Sequence, residues 1–183
     1  MVSVVNTASY STNASVGDAV RTHQLGQSGE EWAAGRLRAL GYDVQFMPRN
    51  AKAVDLAISG ASRFNVQVKC SDHQHIKFPN LSALDGLKAE DFVIALMPAS
   101  DKRDMTFDEE TTWVFVAPAA VAQKAARHVH EEYRKDYIDR KGVEPKGSFG
   151  PTVKFYRNTP WHNQARLWLW AYRDAWGALP PPA

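Results

Sequence analysis

The sequence predicts an α/β protein, a sandwich with a central mixed β-sheet flanked by helices. Three observations carry this. An amphipathic helix over 28–40 precedes a strand over 44–47 and a β-hairpin over 54–58 and 64–69. The nearly continuous apolar run 92–96 reads as a central strand covered on both faces. A further strand over 113–116 leads into helices over 119–137 and from Pro160 onward. With a short helix over 81–88, the core order is α-β-β-β-α-β.

The first helix shows the most signals. Ser28 reads as an N-cap, and Glu31 three residues on completes a capping box. Ala33, Ala34, Leu37 and Leu40 recur at helical spacing, and Gly41 closes the run. Glu30 shares the apolar stripe, whereas Glu31 lies outside with Gly35 and Arg38. A carboxylate facing a core is costly unless something pairs with it, so Glu30 is the residue to explain.

In the hairpin, Val54, Leu56 and Ile58 alternate with Asp55 and Ala57, and Phe64, Val66 and Val68 alternate with Asn65, Gln67 and Lys69. The loop at 59–63 contains Gly60. Pairing Ile58 with Phe64 sets Leu56 against Val66 and Val54 against Val68. The same register sets Asp55 opposite Gln67, with Cβ atoms roughly 5 Å apart, and Lys69 diagonal to it. An acid, an amide oxygen and an amine on one patch of sheet, with Glu30 arriving from a helix, form a plausible metal and phosphate site.

These residues resemble the PD-(D/E)XK nuclease superfamily, the fold of many restriction enzymes, Holliday-junction resolvases and repair nucleases. The resemblance runs from Gly29-Glu30 through Ala33, Leu37, Gly41-Tyr42 and Asn50 to Val54-Asp55-Leu56 and Val66-Gln67-Val68-Lys69. It implies a restriction-endonuclease-like sandwich and Mg²⁺- or Mn²⁺-dependent hydrolysis of phosphodiester bonds, with Glu30, Asp55, Gln67 and Lys69 as catalytic residues. By the same resemblance Asp55 is the central metal ligand. Gln67 and the Val68 carbonyl complete the set, and Glu30 holds metal-bound water or a second metal. Lys69 orients the attacking water. Gln67 stands where the family commonly has Glu or Asp, as in some modified-DNA restriction nucleases. The implied partner is DNA, duplex or branched, with RNA not excluded, and a homodimer is compatible. The alternative is a non-catalytic DNA-binding or assembly protein on a nuclease fold.

Composition is permissive. The chain has 183 residues, 44% hydrophobic, and a formal charge of +2, which allows a nucleic-acid partner without demanding one. Cys70 is the only cysteine, so there is no internal disulfide, which fits a reducing cytoplasm. Alternation turns Cys70 to the core. No apolar run reaches the roughly 20 residues of a membrane span, and the start of the chain does not read as a secretory signal. Residues 1–26 read as an N-terminal arm, with a weak helix over 18–25. Residues 27–158 read as the nuclease-like domain, and 159–183 as an aromatic helix and Pro-rich tail packed on it.

Other cations and histidines carry weaker signals. Arg49 and Lys52 flank the path to Asp55; Lys77 and Lys146 are further candidates for backbone contact, or ordinary solvated cations. His73 and His75 lack further Cys or His at zinc-ligand spacing. The segment 138–158 is basic and glycine-bearing, suited to track DNA or to serve as a plain surface loop. Trp161, Ala165, Trp168, Tyr172 and Trp176 form one helical stripe, read as core packing before dimer surface or base stacking.

Overall fold

The computed structural model describes residues 16–48, 53–78, 81–100, 107–146 and 150–182. Its main sheet has five strands: β1 (Asp43–Phe46), β2 (Leu56–Ser59), β3 (Phe64–Cys70), β5 (Phe92–Pro98) and β6 (Thr112–Pro118). They lie in that order across the sheet; β3 and β5 run parallel and the other neighbours antiparallel. A second, two-stranded sheet pairs β4 (His75–Lys77) with β7 (Thr152–Lys154). Four helices flank the sheets: α1 (Val16–Ala39), α2 (Leu81–Asp85), α3 (Ala119–Lys141) and α4 (Pro160–Trp170). The central mixed sheet and the flanking helices are those predicted, and so is the order α1-β1-β2-β3-α2-β5 apart from β4, which is inserted before α2.

Two apolar cores lie on opposite faces of the main sheet. One joins Ala33, Ala34 and Leu37 of α1 to Leu56, Ile58, Val66, Val68, Ile94 and Val116. The other joins Val93, Ala95, Met97 and Phe115 to α2, α3 and α4. Strand β5 alternates between them and is buried throughout up to Met97, which is why its run of apolar residues has no polar interruption.

Helix α1 corrects the expected start. It is one 24-residue helix, so Ser28 is an interior, exposed position and not an N-cap. Glu31 accepts a hydrogen bond from Gln27 Nε2 (3.1 Å) one turn earlier instead of completing a capping box. The physical reason is periodicity: Leu25, Gly29, Ala33 and Leu37 continue one buried stripe through the presumed cap. Residues 16–26 therefore belong to the helix, not to an arm. The other end is as expected. Gly41 adopts φ 94°, and the N–H groups of Gly41 and Tyr42 donate to Arg38 O (2.9 Å) and Leu37 O (3.1 Å), a Schellman motif.

Other boundaries moved where long-range contacts outweigh local pattern. β4 and β7 are three residues each and lie in segments read as polar loop; each is a strand only because the other pairs with it. Helix α3 runs to Lys141, and Gly142 ends it at φ 69° with its N–H on Ile138 O (2.7 Å). Helix α4 stops at Trp170, well before Gly177. The chain then pairs with the edge of β6: Val116 N–H donates to Tyr172 O (2.9 Å), and Asp174 N–H to Val114 O (2.8 Å). These bonds cover what would otherwise be an open sheet edge. The tail continues onto the α1 face, where Trp176 meets Trp32 (6.3 Å between ring centroids) and Tyr42 Oη donates to Pro180 O. The expected aromatic stripe is thus divided. Trp161, Trp168 and Tyr172 pack on the α3-side core and Trp176 on the α1 side. No described helix is long and apolar enough to cross a membrane.

Asp91 joins the strand ends. It is 1% exposed and accepts hydrogen bonds from Asn65 N–H (2.8 Å), Asn65 Nδ2 (3.0 Å) and Lys88 N–H (2.8 Å). Replacing it with alanine orphans three donors. Asp91→Ala is therefore expected to lose on the order of 3 kcal/mol of unfolding free energy, read as a lower urea midpoint at unchanged slope.

Candidate functional site

Asp55 sits immediately before the first residue of β2. The ladder with β3 keeps the predicted register, Ile58 with Phe64 and Leu56 with Val66, and goes no further. Ala53, at φ 65°, bends the chain just before this point. Asp55 N–H then donates to Val66 O (3.0 Å), one residue short of the partner that the register would give it. The expected facing of Asp55 with Gln67 and of Val54 with Val68 is corrected accordingly. Val54 packs on the α3-side core, whereas Val68 stays in the α1-side core. The Asp55 carboxylate takes up the pairing that the strand abandons. Its Oδ2 accepts from Val68 N–H at 2.7 Å, while Asp55 O accepts from Met47 N–H at 2.9 Å. So Val68 contributes its N–H to the aspartate in this arrangement.

Gln67 and Lys69 alternate off the Val66–Val68 face. In register they stand beside Val93 and Ala95, two residues of the α3-side core. Gln67 is 3% exposed, and its Oε1 is buried with no hydrogen-bond partner among the described residues. A buried amide oxygen without a donor is costly, so this atom calls for a cation or a further donor. Lys69 is half-buried. Burial pushes its ammonium below the ordinary value of 10.5, and the charges of Asp55 and Glu30 pull it back up. The neighbouring Cys70 thiol is pushed up to about 12, chiefly by burial, so it is neutral at physiological pH.

Helix α1 delivers Glu30 to the same place. A Cβ on Gly29 would lie 1.9 Å from Cys70 Sγ and 3.3 Å from Leu96 Cδ1, so a larger residue would force these side chains to move as the helix settles against β3. The next residue, Glu30, lines a cleft of about 350 Å³ together with His23, Gln27, Met47 and Asp55. Its charge acts on both Lys69 and Cys70. Glu30, Asp55 and Lys69 thus converge, and Gln67 and Val68 lie between the last two in sequence.

His23 and Thr22 also line this cleft and were not singled out in the sequence. The signal was present: 23, 27 and 30 share a helix face once the helix is carried back past Ser28. Arg49 and Lys52 lie outside the described residues. Lys77 on β4 and Lys146 beyond α3 are exposed, and neither lines the cleft. His73 and His75 stack on each other (5.6 Å, 28°), and among the described residues no three His, Cys, Asp or Glu side chains cluster for a metal ion.

No protein-family model matches the chain, and none of the curated proteins matches it. Among solved structures it is similar to Hjc, a Holliday junction resolvase of the archaeal hyperthermophile Archaeoglobus fulgidus. The identity is 14%, the TM-score 0.39, and the match covers 52% of this chain and 74% of the resolvase.

The state of Lys69 has a measurable consequence for stability. Its folded-state pKa lies below the unfolded value, so the folded state holds fewer protons in the alkaline range. The charged amine therefore opposes folding at neutral pH, and this cost fades as pH rises through the folded pKa toward 10.5. Lys69→Met is expected to unfold at a higher temperature than wild type at pH 7, with the advantage shrinking as pH approaches 10.5 in parallel thermal melts.

Proposed function

We propose that the chain is a divalent-metal-dependent nuclease acting on DNA. The observation that carries the reading is the half-buried Lys69 under the joint influence of Asp55 and Glu30, at the point where β2 breaks away from β3. A charged amine kept in a costly position beside two acids is what a reaction on a phosphodiester needs, and a merely structural sheet does not need it.

The residues present fit a hard divalent cation such as Mg²⁺ or Mn²⁺, which takes oxygen ligands. Asp55 with its remaining oxygen, Gln67 through the orphaned Oε1, the Val68 carbonyl and Glu30 would hold it. Bound there, the ion would neutralise charge on the phosphate and acidify a water. The other roles belong to the chain itself. Val68 N–H fixes one Asp55 oxygen and so aims the carboxylate. Lys69, with its lowered proton affinity, orients the attacking water and offers a positive charge to the oxygen on which negative charge develops. Glu30 keeps Lys69 protonated enough to do so, and helps to position the water. Gln67 supplies an oxygen without a charge, so it binds a cation more weakly than a carboxylate would and cannot take a proton.

That last point favours the competing reading, a DNA-binding protein that does not cut. Wild type, Asp55→Ala, Lys69→Ala and Gln67→Glu are to be compared on supercoiled, single-stranded, branched and methylated DNA, with magnesium, manganese or EDTA. Cleavage by wild type in the presence of metal is expected, reduced at least about 100-fold in Asp55→Ala and Lys69→Ala and retained or raised in Gln67→Glu. Cleavage by Lys69→Ala at the wild-type rate refutes the proposed role of the amine. DNA binding that survives EDTA, with no substrate cut by wild type or Gln67→Glu, establishes the binding protein instead.

A further inference from the structure

A second cavity, of about 410 Å³, opens between α3, β7 and the start of α4. Its charge is unbalanced. Arg140 is answered by Asp136 at 2.7 Å, but Lys154 and Arg157 have no carboxylate partner among the described residues. Arg166, just behind, spends its guanidinium on Phe155 O and on the side-chain oxygens of Asn158 and Asn163, none of them charged. These three cations act together on His162, which is 5% exposed and lines the cavity. Burial and their combined charge drive its imidazole down to about 4, so it stays neutral. Its Nδ1 accepts from Lys154 N–H at 3.3 Å. Thr159 Oγ1 is a buried polar atom at the wall without a partner among the described residues. The positive end of the α4 dipole adds to the same field.

Two aromatic rings, Trp161 and Tyr133, also line the wall. Trp161 stacks on His162 (4.8 Å, 18°) and faces Tyr133 at 6.4 Å between ring centroids and 33°. Cations without acids call for an anion, and flat rings beside them call for a planar π-system; a nucleotide carries both. We propose that this cavity is a nucleotide-binding site separate from the Asp55 cleft, with Lys154 and Arg157 on the phosphate and the base against Trp161 and Tyr133. The proposal does not depend on the nuclease reading. The nucleotide is either free or the 5′ end of a strand, since both present the same phosphate and base.

Isothermal titration calorimetry of the full chain, in EDTA so that no cleavage intervenes, tests it. The probes are dAMP, adenosine, inorganic phosphate, and one short single strand with either a 5′-phosphate or a 5′-hydroxyl. Saturable binding of dAMP is expected, with adenosine and phosphate each at least tenfold weaker. Arg157 is exposed, so Arg157→Glu is expected to fold normally by circular dichroism and to bind dAMP at least tenfold more weakly. Arg63→Glu, an exposed cation elsewhere, is expected to leave binding unchanged. Competition between dAMP and the 5′-phosphorylated strand, but not the 5′-hydroxyl strand, assigns a strand end; binding of dAMP alone assigns a free nucleotide. Adenosine binding as tightly as dAMP, phosphate binding as tightly as dAMP, an unchanged Arg157→Glu, or no binding of dAMP or of either strand each overturns the proposal.

Discussion

Val68 N–H reaches the Asp55 carboxylate because the β2–β3 ladder ends at Leu56 and Val66, two residues short of serving it. A buried N–H in the middle of a sheet must be paired, and here a side chain replaces the missing strand. The substitution has two results. The Asp55 carboxylate is anchored to the backbone of β3 beside Gln67 and Lys69. The chain before it is released from the sheet, so that Ala53 and Val54 turn toward the opposite core and a cleft opens between β2 and α1. A hydrogen bond between an N–H and a charged acceptor contributes about 1.5–3 kcal/mol, enough to hold a broken ladder in this shape.

The second constraint is the approach of α1. Its stripe of Leu25, Gly29, Ala33 and Leu37 narrows to a bare Cα at Gly29, where Cys70 Sγ occupies the room a side chain would need. This contact fixes where Glu30 falls, and thereby the field at Lys69. The site is built at some energetic expense: a half-buried amine, a buried amide oxygen without a donor, and two acids near one another. The stability that offsets it comes from elsewhere. Two apolar cores enclose β5 between them, Asp91 ties β3 to β5, and the tail from Tyr172 to Pro180 crosses the edge of β6 to join the two faces.

Much of the candidate site was legible in the sequence. The helical phase distinguished Glu30 from Glu31, and period-two alternation found the register of Ile58 with Phe64 and Leu56 with Val66. Gly41 was readable as a helix stop because a left-handed residue has few alternatives to glycine. What misled were residues with more than one use. Ser28 looks like a cap, yet it is an outward-facing residue in a helix whose buried stripe passes beneath it. Thr159 and Pro160 do open α4, but the Thr159 hydroxyl makes no capping bond. The aromatic spacing from Trp161 to Trp176 suits a helix throughout, but the chain leaves the helix at Trp170 to pair with β6.

The sequence by itself determined the class of fold, the order of the core elements, and the identity of the four polar residues held against an apolar pattern. It did so because periodicity and capping are local, and local geometry follows from neighbours within a few positions. Tertiary structure alone decided where β2 breaks, that β4 and β7 exist at all, that the tail straps two cores together, and that Lys154, Arg157 and His162 share a cavity with Tyr133. Each of these depends on partners far apart in the chain. Their pairing free energy exceeds the local preference that a sequence pattern reports, so nothing short of the assembled fold selects them.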